Sequence, residues 1–305
     1  MSAVYFNPPF SDETRRQHLY GGDIIVLPPT PTTLEFCEFA KGLIKEAFAP
    51  LDPETAQHHL PVEEYAELLG KLKPKFIHHP QSKQYIRGLF DAYGADPSDT
   101  YYEVPKLRSS TSDGYLTKGI AYAWHPHRDT WTAALPCQIN WWIPVYELRS
   151  DNAMTFFPKY WDRPIKNTSS GYNYYKWNKE HRGKHVTQYI KEDPRPLPHA
   201  SEPLDLEQEL RVICPVGSVM LFSGAHLHAS VPNTSGVTRF SFDFRTVNVD
   251  DIAAKRGAPN IDSQCEGHML RDYLRATDLA HIPEQYMSLY DDGTEATGDL
   301  VYQPA

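Results

Sequence analysis

The chain has 305 residues, a formal net charge of −9, 26 prolines and 19 tyrosines. This charge opposes the attraction that dominates nucleic-acid and anionic-membrane binding, so neither is a natural partner, and no apolar run approaches the roughly 20 residues needed to span a bilayer. The opening Met1 to Phe10 has no basic stretch followed by an apolar segment, so a cytoplasmic protein is expected, and the scattered Cys37, Cys137, Cys214 and Cys265 imply free thiols.

Three helices are predicted in the first hundred residues. Residues 33–48 carry Leu34, Phe36, Phe39, Leu43, Ile44 and Phe48 near helical spacing, opened by Thr32 or Thr33 and stopped before Pro50. A second helix covers about Val62 to Leu72. A third runs from Ser82 to Tyr93, with Tyr85, Ile86, Leu89 and Phe90 on one side and Gly94 at its end.

From Tyr101 the texture changes to short β-rich runs: Tyr101 to Leu107, Gly119 to Trp124, Cys137 to Val145, Met154 to Phe157, Arg211 to Cys214, Ser218 to Phe222 and Thr238 to Val247. Strands and helices do not alternate there, and no phosphate-cradling glycine loop occurs. An antiparallel double-sheet jelly roll with flanking helices is therefore expected. The division predicted is one domain, with helical support over 1–100, a β core over 101–247 interrupted by an insert at 159–195, and a helical extension over 248–305. The insert holds nine Lys or Arg against four Asp or Glu, leaving −14 for the rest of the chain. A loop of this length in a compact domain is a surface element or a substrate lid. In the second case Arg163, Lys166, Lys176 or Arg182 would attract an anion while Trp131, Trp161 or Tyr174 pack a ring or an apolar portion.

Chemistry is most legible in His127, Asp129, His228 and Arg239. If His127 and Asp129 lie on or just beyond a strand, the two-residue alternation puts them on one face and Arg128 on the other. Two imidazoles and one carboxylate without thiolate suit Fe(II), Mn(II) or Zn(II), and three facial ligands leave room for a bidentate co-substrate and dioxygen. His125 and His226 precede these histidines by two residues and compete for the same roles. Gln138 and Asn140 alternate with Cys137, Ile139 and Trp141, as residues facing the barrel interior or as satisfied core amides.

The segment Trp124 to Asp129, the later Asn152 and Pro158, and the stretch His228–Ala229–Ser230–Val231–Pro232–Asn233, followed by Arg239 and Ser241, resemble the phytanoyl-CoA dioxygenase-like branch of the Fe(II)/2-oxoglutarate-dependent oxygenases over about residues 115–245. The resemblance implies a double-stranded β-helix, iron held by His127, Asp129 and His228, and the distal carboxylate of 2-oxoglutarate held by Arg239 with Ser230, or Ser241 as second choice. Arginine suits that task because its planar fork makes a charge-assisted two-point contact that lysine does not reproduce. The implied reaction uses dioxygen and converts 2-oxoglutarate to succinate and carbon dioxide while a C–H bond of a small-molecule substrate is oxidised, by default to an alcohol. Asp129 occupies the position that a small residue takes in halogenating relatives. After Pro158 the chain continues with Lys159, Tyr160 and Trp161 rather than the family's glycine, serine and histidine, so no acyl-CoA substrate is implied. The positive insert suggests a small anionic metabolite or biosynthetic intermediate, with Trp131, Arg163 and Lys166 as substrate contacts.

Two other readings use the same residues. Gly119, His125 and His127 fit the opening of a cupin pattern whose enzymes do not use 2-oxoglutarate, although Trp131 and Thr132 stand where its glutamate belongs. A non-enzymatic jelly-roll binding module would use the aromatic insert as its contact surface, and it leaves the metal-ligand spacing without a purpose.

Overall fold

The computed structural model describes residues 2–121, 125–182, 187–190 and 192–296. In chain order the elements are β1 (Val4–Phe6), α1 (Asp12–Tyr20), β2 (Ile24–Leu27), α2 (Pro31–Phe48), α3 (Val62–His78), α4 (Pro80–Tyr93), β3 (Thr100–Tyr102), β4 (Lys106–Ser110), β5 (Ile139–Pro144), β6 (Met154–Phe156), α5 (Tyr174–Glu180), β7 (Leu210–Val212), β8 (Val219–Ser223), β9 (His228–Ser230), β10 (Arg239–Asn248), α6 (Val249–Ala253), β11 (Leu274–Arg275) and α7 (Glu284–Met287).

The three expected helices are present, with shifted ends. Helix α2 starts earlier because Pro31 supplies a pre-set first turn and Thr30, not Thr32 or Thr33, is the cap, exchanging hydrogen bonds with Thr33. Helix α3 runs six residues past Leu72 and carries Pro74 inside it. Helix α4 ends at Gly94 in the left-handed conformation, φ 68°, where a residue without a Cβ carries no steric cost.

Residues 1–100 are more than helical support. Strand β2 is buried along its length and pairs antiparallel with β8, while β1 adds to it in parallel. The tail likewise contributes β11, which pairs with β3. Short runs such as Ile24–Leu27 and Leu274–Arg275 carry too little alternation to be read as strands without their partners.

One sheet of eight strands follows the order β1-β2-β8-β5-β10-β3-β11, with β4 also on β10, and a second sheet runs β7-β6-β9. His127 extends the smaller sheet through a bridge to His228. Along the chain, β4, β5, β8 and β10 fall in the large sheet, whereas His127, β6, β7 and β9 fall in the small one. The chain therefore alternates between two facing antiparallel layers, the pairing of a double-stranded β-helix. Of the expected strand at Gly119 to Trp124, Gly119–Ala121 is instead a 3-10 turn, and residues 122–124, Trp124 included, lie outside the described residues.

Alternation within the strands separates a dry layer from the interior. On β10, Phe240, Phe242 and Phe244 are fully buried against α2, α3 and α4, with the Phe242 ring 4.3 Å from that of Phe36. Burial of each such ring contributes about 1.5–3 kcal/mol. Ile139, Trp141 and Ile143 of β5 face the same way. The intervening Arg239, Asp243 and Arg245, with Asn140 and Trp142, line a cavity between the sheets.

The insert is not a solvated loop throughout. Tyr172, Tyr174 and Tyr175 are buried in a cluster with Met269, Leu270, Tyr273 and Ile282 of the C-terminal tail. No helix among the described residues is long and apolar enough to cross a membrane. The four cysteines are free, as their spacing implied.

Candidate metal and anion site

His127, Asp129 and His228 are all buried and present one donor atom each within 4.8 Å of one another. Two mutual backbone hydrogen bonds of 3.0 Å between His127 and His228 set the imidazoles side by side, ring centroids 4.4 Å apart. Each ring is oriented in the same way. The Nδ1 of His127 donates to the His125 carbonyl at 2.8 Å, and that of His228 to the His226 carbonyl at 3.0 Å. Both Nε2 atoms are thereby left as acceptors facing the centre, the tautomer a metal requires.

Asp129 opens a 3-10 turn, Asp129–Thr132, and its N–H donates to the Gly224 carbonyl at 2.9 Å. A Cβ on Gly224 would stand 3.2 Å from the Asp129 Cβ and 3.0 Å from the Gln138 amide, so this close approach favours glycine. One carboxylate oxygen, Oδ1, lies 3.5 Å from His127 Nε2. The other, Oδ2, accepts from Asn140 Nδ2 at 2.6 Å and Gln138 Nε2 at 3.1 Å, with Arg245 Nε at 3.8 Å.

Burial alone would raise the Asp129 carboxyl; Arg245 and the two imidazoles outweigh it and hold the group well below the ordinary carboxylate range. Burial, with His127 nearby, lowers the His228 imidazole to about 4. An anionic carboxylate beside a neutral imidazole acceptor is a donor set that fits a divalent first-row cation.

Arg239 begins β10 on the same strand face as Asp243 and Arg245. Its guanidinium donates to the carbonyls of Asn152 and Ala153 at 2.8 and 3.4 Å and to Ser230 Oγ at 3.2 Å, and it lies 5.5 Å from the Trp142 ring centroid. No carboxylate pairs with it among the described residues. Its Nε and the buried Ser241 hydroxyl have no hydrogen-bond partner, and burial depresses the guanidinium to about 10. Buried polar groups left in this way are costly unless a ligand completes them. Arg239, Ser230 and the three donor residues open onto one cavity of about 330 Å³.

The two competing histidines are not brought into the centre. His125 is exposed and sits beside Lys118, Nε2 to Nζ 3.2 Å. His226 is fully buried against Trp161, centroids 4.6 Å apart, and burial pushes it down to about 3. Strand alternation placed each on the face of its neighbour, but His127 makes a single bridge and His228 starts its strand, so the alternation does not reach back to them. The cupin ligand set based on His125 and His127 is therefore not assembled.

The expected substrate contacts divide. Trp131 is wholly buried among Phe157, Tyr160, Ile165 and Leu227, with its indole N–H on Asp262 at 2.8 Å, and does not line the cavity. Arg163 and Lys166 are exposed on the outside of the insert, Arg163 lying over the Tyr160 ring. Arg182 and Tyr174 do line it, joined to each other and to Asp272. Arg128 points away from the centre as expected, into a buried polar cage of Asp262 and the carbonyls of Ala225, Tyr160 and Arg163. Arg245 and Glu103 were not singled out from the sequence. The signal for Arg245 was the two-residue spacing Arg239, Ser241, Asp243, Arg245, which puts charge on one face of an otherwise aromatic strand.

No family model and no curated protein matches the chain. Solved structures similar to it include the epimerase SnoN in complex with Fe3+, alpha ketoglutarate and nogalamycin RO, at TM-score 0.41 and 14% identity over 83% of this chain and 98% of that one. The non-heme alpha ketoglutarate dependent carbocyclase SnoK from nogalamycin biosynthesis gives 0.37 and 14% over 87% and 96%. EvdO2 from Micromonospora carbonacea var. aurantiaca gives 0.40 and 10% over 79% and 92%. At such scores these likenesses bear no weight, and the chemistry below stands on the side chains themselves.

Proposed function

We propose that this chain is a non-haem Fe(II)/2-oxoglutarate-dependent oxygenase that hydroxylates an unactivated C–H bond of a small anionic molecule. The observation that carries this reading is the pairing, in one cavity, of a buried three-donor centre with a buried guanidinium that lacks a carboxylate. A metal alone explains His127, Asp129 and His228. Only an additional anionic ligand explains Arg239, and a dicarboxylate able to reach both ends of the cavity meets the two requirements together.

Iron(II), 2-oxoglutarate and dioxygen, when bound, would supply the oxidation, with succinate and carbon dioxide as co-products. The chain's own contribution is positional. The carbonyls of His125 and His226 lock the imidazole tautomers, and Asn140 and Gln138 fix the carboxylate of Asp129. Arg239 and Ser230 would hold the distal carboxylate at two points, with Trp142 against the guanidinium; Ser241, the second-choice hydroxyl, is buried beside Arg239 on β10 and does not line the cavity. Tyr172, Tyr174, Trp177 and Met269, from the insert and the tail, wall the cavity. They would exclude water and set one C–H bond of the substrate near the metal.

The test is anaerobic addition of 2-oxoglutarate to Fe(II)-loaded protein. The reading expects a metal-to-ligand charge-transfer absorption that Arg239→Met weakens, followed by succinate release when oxygen is admitted. Absence of both in the wild-type protein would overturn it.

A further inference from the structure

The cavity that joins the metal centre to Arg239 carries more positive charge than its own carboxylates neutralise. Among the described residues seven cations line it: Lys73, Lys106, Arg108, Arg182, Arg195, Arg239 and Arg245. Most are paired. Arg108 is held by Asp243 at 2.5 and 3.1 Å, Arg182 by Asp272 at 2.6 Å and Arg195 by Asp193 at 2.8 Å. Lys106 and Arg245 share one carboxylate, Glu103, with Lys106 at 2.8 Å. With Asp129, five carboxylates meet seven cations among the described residues, an excess of two positive charges.

The excess falls at two places. One is Arg239, assigned above to the co-substrate. The other is the wall formed by α3 and β4, where Lys73 has no carboxylate partner among the described residues and its ammonium donates to the Ile120 carbonyl. Lys106 stands on the same wall, paired with Glu103, which Arg245 also meets. An iron(II) ion with 2-oxoglutarate adds two positive and two negative charges, so the complete centre leaves this surplus in place.

Resting on the oxygenase reading, we propose that the prime substrate carries a carboxylate or comparable anion that binds between Lys73 and Lys106, with a ring or apolar body lying against Tyr172, Trp177 and Met269. Three further observations agree with this placement. Burial, with Arg108 nearby and Asp243 opposing it, brings the Lys73 ammonium down to about 7. Burial and Arg245 bring that of Lys106 to about 8. Burial is the main cause of both shifts, and a carboxylate bound between the two ammonium groups would favour their charged forms. The same cavity is also lined by Tyr172, Tyr174, Trp177, Leu197 and Met269, which suits the remainder of an amphiphilic molecule. The cationic element of substrate recognition therefore comes from α3 and β4 rather than from Arg163 and Lys166 of the insert.

Matched acids and amides test this without knowledge of the natural substrate. Protein loaded with Zn(II) and 2-oxoglutarate is titrated by calorimetry with 3-phenylpropanoate, 1-naphthylacetate and cyclohexanecarboxylate, and with the primary amide of each. The expected result is at least a tenfold preference for the acid in one pair or more, which Lys73→Met combined with Lys106→Met removes while 2-oxoglutarate affinity stays unchanged. Thermal unfolding verifies that the double variant is folded, and Lys73→Gln alone serves if it is not. No preference in any pair, or a preference that survives the lysine substitutions, would overturn the proposal. Repeating the titrations without 2-oxoglutarate and on Arg239→Met separates the two ideas. Loss of co-substrate binding with retained acid preference locates the acid at the lysines, whereas loss of both puts it on Arg239 and sinks the lysine site.

Discussion

Asn140 donates its amide to the outer oxygen of Asp129 at 2.6 Å, and this contact ties a strand of the large sheet to a ligand carried by a turn of the small one. Partners of this kind orient a metal ligand, and removing them weakens metal binding by roughly 10–100-fold. Asn140→Ala is expected to fall in that range. Asn140→Asp should lose more, because it sets a second negative charge against Asp129. Competition of Mn(II) against a chelator, followed by paramagnetic resonance, measures both; equal affinity in all three proteins would mean that Asn140 only fills space.

Alanine at Asp129 or His228 should abolish stoichiometric metal binding and iron-dependent succinate formation together. Metal analysis after gel filtration gives the first and a coupled succinate assay the second. Unchanged turnover in either variant would remove that residue from the ligand set.

Arg239→Met should weaken 2-oxoglutarate binding roughly 100-fold, since charge-assisted hydrogen bonds contribute about 1.5–3 kcal/mol. Ser230→Ala deletes one neutral partner and should cost about fivefold, on the order of 1 kcal/mol. Anaerobic titration of the charge-transfer band reads both constants. Arg239→Lys should restore charge without the two-point geometry and recover only part of the affinity.

Arg245 lies between Glu103 and Asp129, buried in the wall of the cavity. Replacing it by methionine removes a cation shared by two buried carboxylates and should destabilise the metal-free protein by about 3–5 kcal/mol. Urea unfolding at neutral pH measures this. A loss below 1 kcal/mol would show that Lys106 alone satisfies Glu103.

Lys73 supplies a pH dependence with a defined sign. Its folded-state value, about 7, lies below the ordinary lysine value of 10.5. Between those limits the unfolded chain binds the extra proton, so wild-type stability gains from rising pH across that window. Lys73→Met has no proton to lose. Its stabilising effect should therefore be largest at pH 7 and below and shrink towards pH 10.5, as calorimetric melting points of the two proteins would show.

Several local features were legible in the residues alone. Helices α2, α3 and α4 follow from apolar spacing and their stops, and the phenylalanines of β10 follow from a period of two. The combination of His127, Asp129, His228 and Arg239 was readable because metal and carboxylate chemistry restrict residue type as well as spacing. Arg245 was less so, since its importance depends on Glu103, 142 positions away.

What the sequence determined by itself is thus the set of donors and the sheet-forming pattern that could carry them, because both depend on near neighbours. Tertiary structure alone decided which histidines converge. His125 and His226 look equivalent to His127 and His228 along the chain, yet their carbonyls take the Nδ1 protons of the inner pair while their rings turn elsewhere. The same holds for the charge in the cavity. Lys73, Lys106 and Arg182 come from a helix, a strand and the insert, and whether each meets a carboxylate is set by long-range packing, which no local spacing encodes.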